Sequence, residues 1–164
     1  MQLKKLFHMQ KALDTHIEEK HGLQHEDLFS RKVLALLVEV GELANETRCF
    51  KFWSVKPSSP QDVILEEFVD GIHFILSLGI VCGFEEEEFS VDVALPAAET
   101  LTEQFLKVYQ QTSAFQNSKS FEDFLTLFKS FMALAGLLGI TQEEIQQAYF
   151  HKNEVNYLRQ QNNY

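Results

Sequence analysis

Two pairs of acidic residues stand inside otherwise apolar segments of this chain, and both pairs have the same spacing. Glu39 and Glu42 lie in LLVEVGELANE, and Glu67 and Asp70 lie in ILEEFVDGIHFILSLG. On a helix, residues three positions apart project from the same side, with Cβ atoms about 5–6 Å apart. Because apolar residues surround each pair, these carboxylates cannot all point to open water if the two helices pack together.

Carboxylates crowded in this way need protons or cations to compensate their charge. Two of them about 4 Å apart repel by roughly 4 kcal/mol at an effective dielectric constant near 20, and a group of four multiplies that cost. Oxygen ligands without a nearby cysteine or histidine pair favour Mg²⁺, with Mn²⁺ as a substitute, over zinc. A single ExxE is usually a solvated helix face, but two such pairs on consecutive helices predict a metal site.

Helical periodicity accounts for most of the chain, and no strand alternation of useful length occurs. We expect helices at about 3–20, 27–47, 60–81, 96–113, 120–139 and 141–160. Ser59 is the expected N-cap before Pro60, and Thr141 with Glu144 is typical of a capping box. The sequence therefore predicts one all-α domain over residues 1–164, a bundle of about six helices with the active site between the acid-bearing helices.

The overall charge limits the choice of partner. A formal net charge of −10 and a pI near 5.0 argue against nucleic acid or an anionic membrane, because both need a basic face. Cys49 and Cys82 lie in or beside apolar helical segments, and neither a signal peptide nor about 18 consecutive apolar residues appear. We therefore expect a cytoplasmic protein, in which metal ions would mediate binding of any anionic substrate.

The last helix carries a second candidate group. Lys152, Asn156 and Arg159 follow spacings of four and three, which places an ammonium, an amide and a guanidinium on one face. Such a stripe suits phosphate oxygens, since arginine offers a planar fork and lysine a point charge. The alternative is a helix end whose basic residues complement its dipole.

The loop RCFKFWSVKPSS joins the two acid-bearing segments, so its tip should lie near the acids. Trp53 is the only tryptophan. It is either a hydrophobic plug over the bundle end or a flat surface for a nucleobase, beside Lys51 and Lys56.

Four other polar residues have open interpretations. Gln10 and Asp14 share a face of the first helix, which is either ordinary exposed polarity, favoured by the sequence alone, or a polar group directed at a ligand. Glu66 also lies one turn from Asp70, so spacing does not decide which glutamate pairs with it. His73 is either a hydrogen-bonded helix residue or a group that orients Asp70.

The fifth helix is apolar over most of its length and lacks acids in its second half. This pattern is typical of either core packing or a subunit interface. Because a helix buried within one subunit usually keeps a polar stripe, we expect a homodimer. The apolar residues concerned are Leu125, Leu127, Phe128, Phe131, Met132, Leu134, Leu137 and Leu138.

Together, EVGE (39–42), EFVD (67–70), the intervening CFKFWS and the closing HKNEVNYLRQQNNY resemble the dimeric, all-α dUTPases of the MazG-like nucleotide pyrophosphatase superfamily. The resemblance covers residues 10–164. It implies hydrolysis of dUTP to dUMP and pyrophosphate, which limits uracil entry into DNA, and it makes dUDP a candidate second substrate.

The resemblance also implies roles for individual residues. It selects Glu67 over Glu66 and implies that two or three Mg²⁺ ions on the nucleotide phosphates are held by four acids: Glu39, Glu42, Glu67 and Asp70. Glu39 or Glu42 would accept a proton from the attacking water. On the last helix, the residues implied to contact phosphate are Lys152, Asn156 and Arg159. Lys152 and Arg159 are also implied to be catalytic, because they would stabilise developing charge.

The resemblance also implies that Trp53 helps to form the base pocket, and Gln10, Asp14 and Lys51 are further candidate substrate-binding residues. An amide is common in the family where this chain has Asp14. That difference keeps open a MazG-like pyrophosphatase acting on dCTP or another nucleotide. A further alternative is a non-enzymatic helical interaction protein, which predicts no dependence on metal.

Overall fold

The structure is a computed structural model that describes residues 1–93 and 100–162. These residues form six α-helices and one short 3₁₀ turn at Phe84–Glu86, with no strand among them. The predicted all-α class is confirmed. The helices are α1 (Leu3–His21), α2 (Phe29–Thr47), α3 (Gln61–Val81), α4 (Leu101–Ser118), α5 (Phe121–Leu138) and α6 (Gln142–Gln161).

The start of α6 follows the predicted capping box. The Thr141 hydroxyl accepts a hydrogen bond from the Glu144 N–H at 3.3 Å, and the Glu144 carboxylate accepts one from the Thr141 N–H at 2.8 Å. Two N–H groups that would otherwise lack intrahelical partners are thereby satisfied.

The predicted start of α3 is wrong by one residue, and its cap is different. Pro60 occupies the N-cap position, and no side chain caps the helix. Ser59 instead bonds to the last turn of α2: its N–H donates to the Glu46 carbonyl at 2.9 Å, and its hydroxyl donates to the Glu46 carboxylate. Ser59 therefore closes the loop between the two acid-bearing helices.

The fourth helix also differs from its predicted bounds. Its expected start at Pro96 lies outside the described residues, and within them Thr100 is an extended N-cap that forms a capping box with Glu103. The helix continues to Ser118, beyond the expected end near residue 113. Its last turn is held by burial of Phe115 in the core.

Helix α3 lies at the centre of the molecule. It packs against α1, α2 and α6, and it approaches α5 over a shorter stretch, while α4 packs mainly against α5 and α2. Most of its apolar residues are buried, including Phe68, Ile72, Ile75 and Leu76. The polar residues of α3 are therefore held in place by packing around most of the helix.

Two glycines allow this close packing on α3. A Cβ atom on Gly71 would lie 2.4 Å from Cζ of Phe131, whose ring stacks on Phe68 with centroids 4.7 Å apart. A Cβ atom on Gly79 would lie 2.8 Å from Cζ of Phe124. A side chain at either position would force these rings, or the helices that carry them, to move.

The apolar run of α5 belongs mainly to the core of the subunit. Phe124, Phe128, Phe131 and Met132 are fully buried without a second chain. The core interpretation therefore accounts for this helix, and its apolar residues are no longer an argument for a subunit interface.

No single helix among the described residues is long and apolar enough to span a membrane, whereas the bent pair of α5 and α6 meets those two criteria jointly.

Candidate active site

The packing of α2 on α3 brings three of the four predicted metal ligands together. Carboxylate oxygens of Glu39, Glu67 and Asp70 all lie within 4.8 Å of one another, and each residue is half-buried. An all-oxygen group of this size fits a hard divalent cation. Glu42 is more exposed and lies outside this group, although its charge is close enough to affect Glu39 and Glu67.

The carboxylates show the effect of this crowding in their pKa values. Burial raises the pKa of Glu39 to about 7, and the neighbouring charges, first that of Asp70, add to the shift. Burial likewise raises the pKa of Glu67, with Asp70 adding to it. Removal from water and like-charge repulsion both disfavour the ionised form. A bound cation would reverse that balance.

Glu66 lies outside this group. It is exposed, and its Oε1 accepts a hydrogen bond from Nζ of Lys152 at 2.7 Å, which lowers the pKa of Glu66. The geometry groups Glu67, rather than Glu66, with Asp70.

Lys152 occupies a central position among these acids. Its Nζ lies 2.7 Å from Oδ2 of Asp70 as well as 2.7 Å from Oε1 of Glu66, and the residue is only 7% exposed. The hydrogen bond from Lys152 opposes the burial that raises the pKa of Asp70. The sequence spacing of α6 did not predict this pairing, because it depends on how α6 packs against α3.

A cavity of about 390 Å³ opens beside the acids, between α1, α2, α3 and α6. Glu39 and Asp70 line one part of it, together with Asn156 and Arg159. The predicted stripe on α6 therefore divides, with two members at the cavity and Lys152 on the acids. A cavity of this size is within the range for small-molecule ligands.

Gln10 and Asp14 line the same cavity and are held by hydrogen bonds. Nε2 of Gln10 donates to Oδ1 of Asp14 at 2.7 Å, and Asp14 also accepts from Nζ of Lys32 at 3.2 Å and from the Ser77 hydroxyl. Gln10 is buried. The expectation of ordinary exposed polarity is therefore wrong for this residue.

The polar partners of Asp14 were not singled out from the sequence. Lys32 lies seven residues before Glu39 and Ser77 seven residues after Asp70, about two helical turns in each case. This spacing places each of them on the same helix face as an acid of the metal group. The signal was present, but a lysine and a serine at that spacing are common on helices.

Lys51 and Trp53 do not line the cavity. Trp53 is 66% exposed, and its ring lies edge-on to those of Phe50 and Phe52 at centroid distances of 6.0 and 5.0 Å. Nζ of Lys51 donates to the side chain of Asn45. Their contact with a nucleobase therefore stays a prediction.

Comparison with known proteins gives the family. A search of curated proteins finds no match. A family model described as dUTPase matches residues 2–164. Enzymes of this family generally depend on divalent metal, which agrees with the acidic group formed by α2 and α3. An enzyme of this family is not the non-enzymatic interaction protein that the sequence alone left open. The chain belongs to the dimeric, all-α dUTPase family and is a dUTP diphosphatase, a hydrolase that converts dUTP to dUMP and pyrophosphate.

Proposed function

We propose that this dUTPase holds Mg²⁺, with Mn²⁺ as a substitute, through four carboxylates: Glu39, Glu42, Glu67 and Asp70. The observation that carries the proposal is the convergence of three of them within 4.8 Å. Their oxygen ligands suit magnesium rather than a thiophilic metal. Glu42, beside that group and more exposed, would complete the site on the solvent side.

We infer the orientation of dUTP from the two ends of the cavity. The acids Glu39 and Asp70 lie at one end, and Gln10 and Asp14 contribute the polar lining formed by α1. Phosphates carry the charge that cations neutralise, so they belong at the acids. The nucleoside then extends along the cavity towards α1, with Asn156 and Arg159 beside the phosphates.

The acidic and basic residues of the site would then have separate roles in the reaction. Cations held by the acids would neutralise the triphosphate and polarise its oxygens. Glu39 or Glu42 would accept the proton of the attacking water, as each carboxylate lies in or beside the acidic group. Lys152 and Arg159 would stabilise charge that develops on the phosphoryl oxygens. For Lys152 this requires its ammonium to move from the carboxylates to the phosphate.

Asp14 is our candidate for recognition of the base. A carboxylate has about four lone-pair positions and can only accept hydrogen bonds, and three donors already bond to Asp14: Gln10, Lys32 and Ser77. The N3–H of uracil would fill the remaining position, whereas N3 of cytosine is itself an acceptor. This difference favours dUTP over dCTP.

We also propose a homodimer, formed by an exposed apolar surface on α2 and α4. Leu34 and Val38 lie one turn apart on α2. Leu106 and Tyr109 are exposed on α4, which packs against α2, and the Tyr109 hydroxyl donates to the Leu37 carbonyl. A self-complementary apolar surface is what a twofold dimer buries.

Both described cysteines are free, which supports a reducing, cytoplasmic location.

A nucleotide panel with controlled metal tests the proposal. Purified protein is assayed with dUTP, dUDP, dCTP and dTTP, each with Mg²⁺, with Mn²⁺ and with EDTA. We expect rapid release of dUMP and pyrophosphate from dUTP with either metal and none with EDTA. Undiminished turnover in EDTA would refute the metal site, and equal rates for dUTP and dCTP would refute the role of Asp14.

A further inference from the structure

Lys32 is a cation in the cavity wall that the proposed chemistry uses only as a partner of Asp14. It lies on α2, seven residues before Glu39 of the acidic group, or about 10 Å along the helix axis. Only 12% of its side chain is exposed, and the residue lines the cavity. Among the described residues that line the cavity, Lys32 and Arg159 alone carry a fixed positive charge. Lys32 therefore contributes an ammonium to the part of the cavity remote from the metal ligands.

Two carboxylates hold the ammonium of Lys32 at the cavity. Its Nζ lies 3.2 Å from Oδ2 of Asp14 and 3.2 Å from Oε1 of Glu18, and both of these residues also line the cavity. An ammonium has three N–H donors and no acceptor. The described residues provide acceptors for two of these donors. One donor of Lys32 therefore stays available.

The surroundings of this ammonium suit a flat, mostly apolar ligand with a polar edge. Leu13 and Ile17 lie within one turn of Asp14 on α1, and Leu28 lies one turn before Lys32. These three side chains line the cavity, as do the apolar residues Leu23 and Phe74. Apolar walls with a few fixed polar groups are typical of a small-molecule site, and a pyrimidine base has the matching character.

Contacts between α1 and α3 show which way α1 runs relative to the acidic group. Oε1 of Gln10 lies 2.7 Å from Nδ1 of His73, the residue one turn after Asp70 on α3. Asp14 accepts a hydrogen bond from Ser77, one turn farther along α3. Each turn of α1 towards its C-terminus therefore leads away from the acidic group and from the phosphates that we assign to it.

This direction selects the atom of uracil that Lys32 can contact. Lys32 bridges Asp14 to Glu18, which is one turn farther along α1, so its ammonium lies on the side of Asp14 away from the phosphates. In uracil, N3–H stands between two carbonyls. C4–O4 lies opposite the bond to the sugar, whereas C2–O2 is beside that bond. The sugar joins the base to the phosphates, so the carbonyl on the side of Lys32 is O4.

We propose that Nζ of Lys32 donates a hydrogen bond to O4 of uracil while Asp14 accepts one from N3–H. The proposal rests on the proposed function and on the orientation of dUTP given there. Cytosine has an amino group in place of O4 and an acceptor at N3, so a donor would meet a donor and an acceptor an acceptor. A site that forms such bonds strongly rejects an analogue that cannot form them. Thymine retains both atoms, so Lys32 does not separate dUTP from dTTP.

Sulfur analogues of the base test the assignment. The kcat/KM for dUTP is compared with that for 4-thio-dUTP and 2-thio-dUTP, in which a weaker acceptor replaces one carbonyl oxygen and N3–H is kept. We expect the wild-type enzyme to lose about tenfold with 4-thio-dUTP and less than about threefold with 2-thio-dUTP. Lys32→Met lacks the donor, so its two losses should differ by less than about threefold. Its ratio of dUTP to dCTP hydrolysis should fall about tenfold, with the ratio of dUTP to dTTP unchanged.

Glu18→Gln is the matched control. It removes the charge of the second carboxylate beside Lys32 but keeps the ammonium and an acceptor for it, so the loss with 4-thio-dUTP should persist. A loss that disappears in Glu18→Gln would assign the effect to charge pairing within the cavity wall and would overturn the contact with O4.

Other outcomes would also overturn the proposal. A wild-type enzyme that hydrolyses dUTP and 4-thio-dUTP equally would do so, and a greater loss with 2-thio-dUTP would place the ammonium at the other carbonyl. An undiminished loss in Lys32→Met would show that the larger sulfur atom is excluded by its size. If Lys32→Met does not fold by circular dichroism, the wild-type ratios decide. Absence of metal-dependent dUTP turnover in the wild type would instead refute the proposed function.

Discussion

The ammonium of Lys152 lies 2.7 Å from Oδ2 of Asp70. A lysine that we propose to contact phosphate is thus paired with a carboxylate that we propose to hold metal. The positive charge of Lys152 offsets part of the negative charge of the acidic group, and a divalent cation would offset more of it. Binding of metal and binding of phosphate should therefore both act on the position of this one side chain.

Replacing Lys152 should affect metal binding and turnover in opposite directions. Lys152→Met removes a competing cation, so affinity for Mn²⁺ without nucleotide should rise about tenfold. Hydrolysis of dUTP should fall about one-hundredfold or more, because charge on the phosphoryl oxygens loses a partner. Calorimetry with Mn²⁺ and steady-state kinetics measure the two effects, with the exposed Lys129→Met as control. Weaker Mn²⁺ binding would mean that Lys152 organises the ligands instead.

The carboxylate group should be essential for turnover and not for folding. Glu39→Gln, Glu42→Gln, Glu67→Gln and Asp70→Asn should each abolish dUTP hydrolysis while leaving helical circular dichroism intact. Each change removes one charge from a crowded cluster, so the metal-free protein should not lose stability. Glu66→Gln is the control and should retain far more activity than Glu67→Gln. The reverse order would show that the ligand assignment is wrong.

The raised pKa of Glu39 predicts an unusual pH dependence for the metal-free protein. Its folded-state pKa of about 7 exceeds the ordinary value of 4.5, so the folded state binds the extra proton between these values. Its contribution to stability is complete below about pH 4.5 and is lost as pH rises through 7.

Thermal unfolding in EDTA at pH 5 and pH 8 measures this effect. Compared with Glu39→Gln, the wild type should lose on the order of 1 kcal/mol more over that interval, a value discounted for the solvent that reaches this half-buried group. Mg²⁺ should remove most of the difference by stabilising the ionised carboxylate. Identical pH profiles for the two proteins in EDTA would contradict the shift.

Trp53 and Asp14 should have different effects on substrate use. Stacking provides about 1–3 kcal/mol without regard to sequence, so Trp53→Ala should raise KM for every nucleotide alike. Asp14→Ala should instead change the ratio of dUTP to dCTP hydrolysis. Because Trp53 is the only tryptophan and is 66% exposed, its fluorescence reports directly on substrate binding. Emission unchanged by saturating nucleotide with Mg²⁺ would argue against its placement at the base.

The proposed dimer is tested by charging its surface. Val38, on the apolar surface of α2, is 48% exposed, and Val55, in the loop before α3, is 103% exposed. Val38→Asp should shift the protein to monomer in sedimentation experiments, since a buried unpaired charge is costly in an interface, whereas Val55→Asp should leave the dimer intact. A wild-type monomer at micromolar concentration would exclude the proposal.

The sequence predicted the helices of this molecule better than the contacts between them. Local chemistry determines a capping box such as that of Thr141, and a period of 3.6 residues identifies an amphipathic helix. Both are contained in a short segment, so the helix count and most boundaries were correct. Pro60 was misplaced because Ser59 has a better partner in Glu46, which belongs to another helix.

The same limit applies to the candidate site. Spacing placed Glu39 near Glu42 and Glu67 near Asp70, but only the packing of α2 on α3 shows that Glu39 joins the second pair more closely than Glu42 does. Besides Asp14 on its own helix, Gln10 bonds to His73 on α3 and to the hydroxyl of Tyr149 on α6, both far away in sequence. Such long-range contacts leave no periodic signal, which is why the contact of Tyr149 emerged only from the structure. The spacing of Lys32 and Ser77 from the acids was visible in the sequence but is too common on helices to single them out.

Through Gly71, the geometry of the active site depends on Phe131, a residue that does not belong to the site. Gly71 adjoins Asp70, and its missing side chain lets the ring of Phe131 rest against α3. An alanine there would meet the Phe131 ring at 2.4 Å, so either the ring or α3 must move. Movement of α3 would displace the adjoining Asp70 carboxylate, and metal affinity should then change although every ligand is intact. In the evolution of this enzyme, a larger residue at position 71 would need a smaller one at position 131, and a screen for loss of activity should identify both positions beside the ligands themselves.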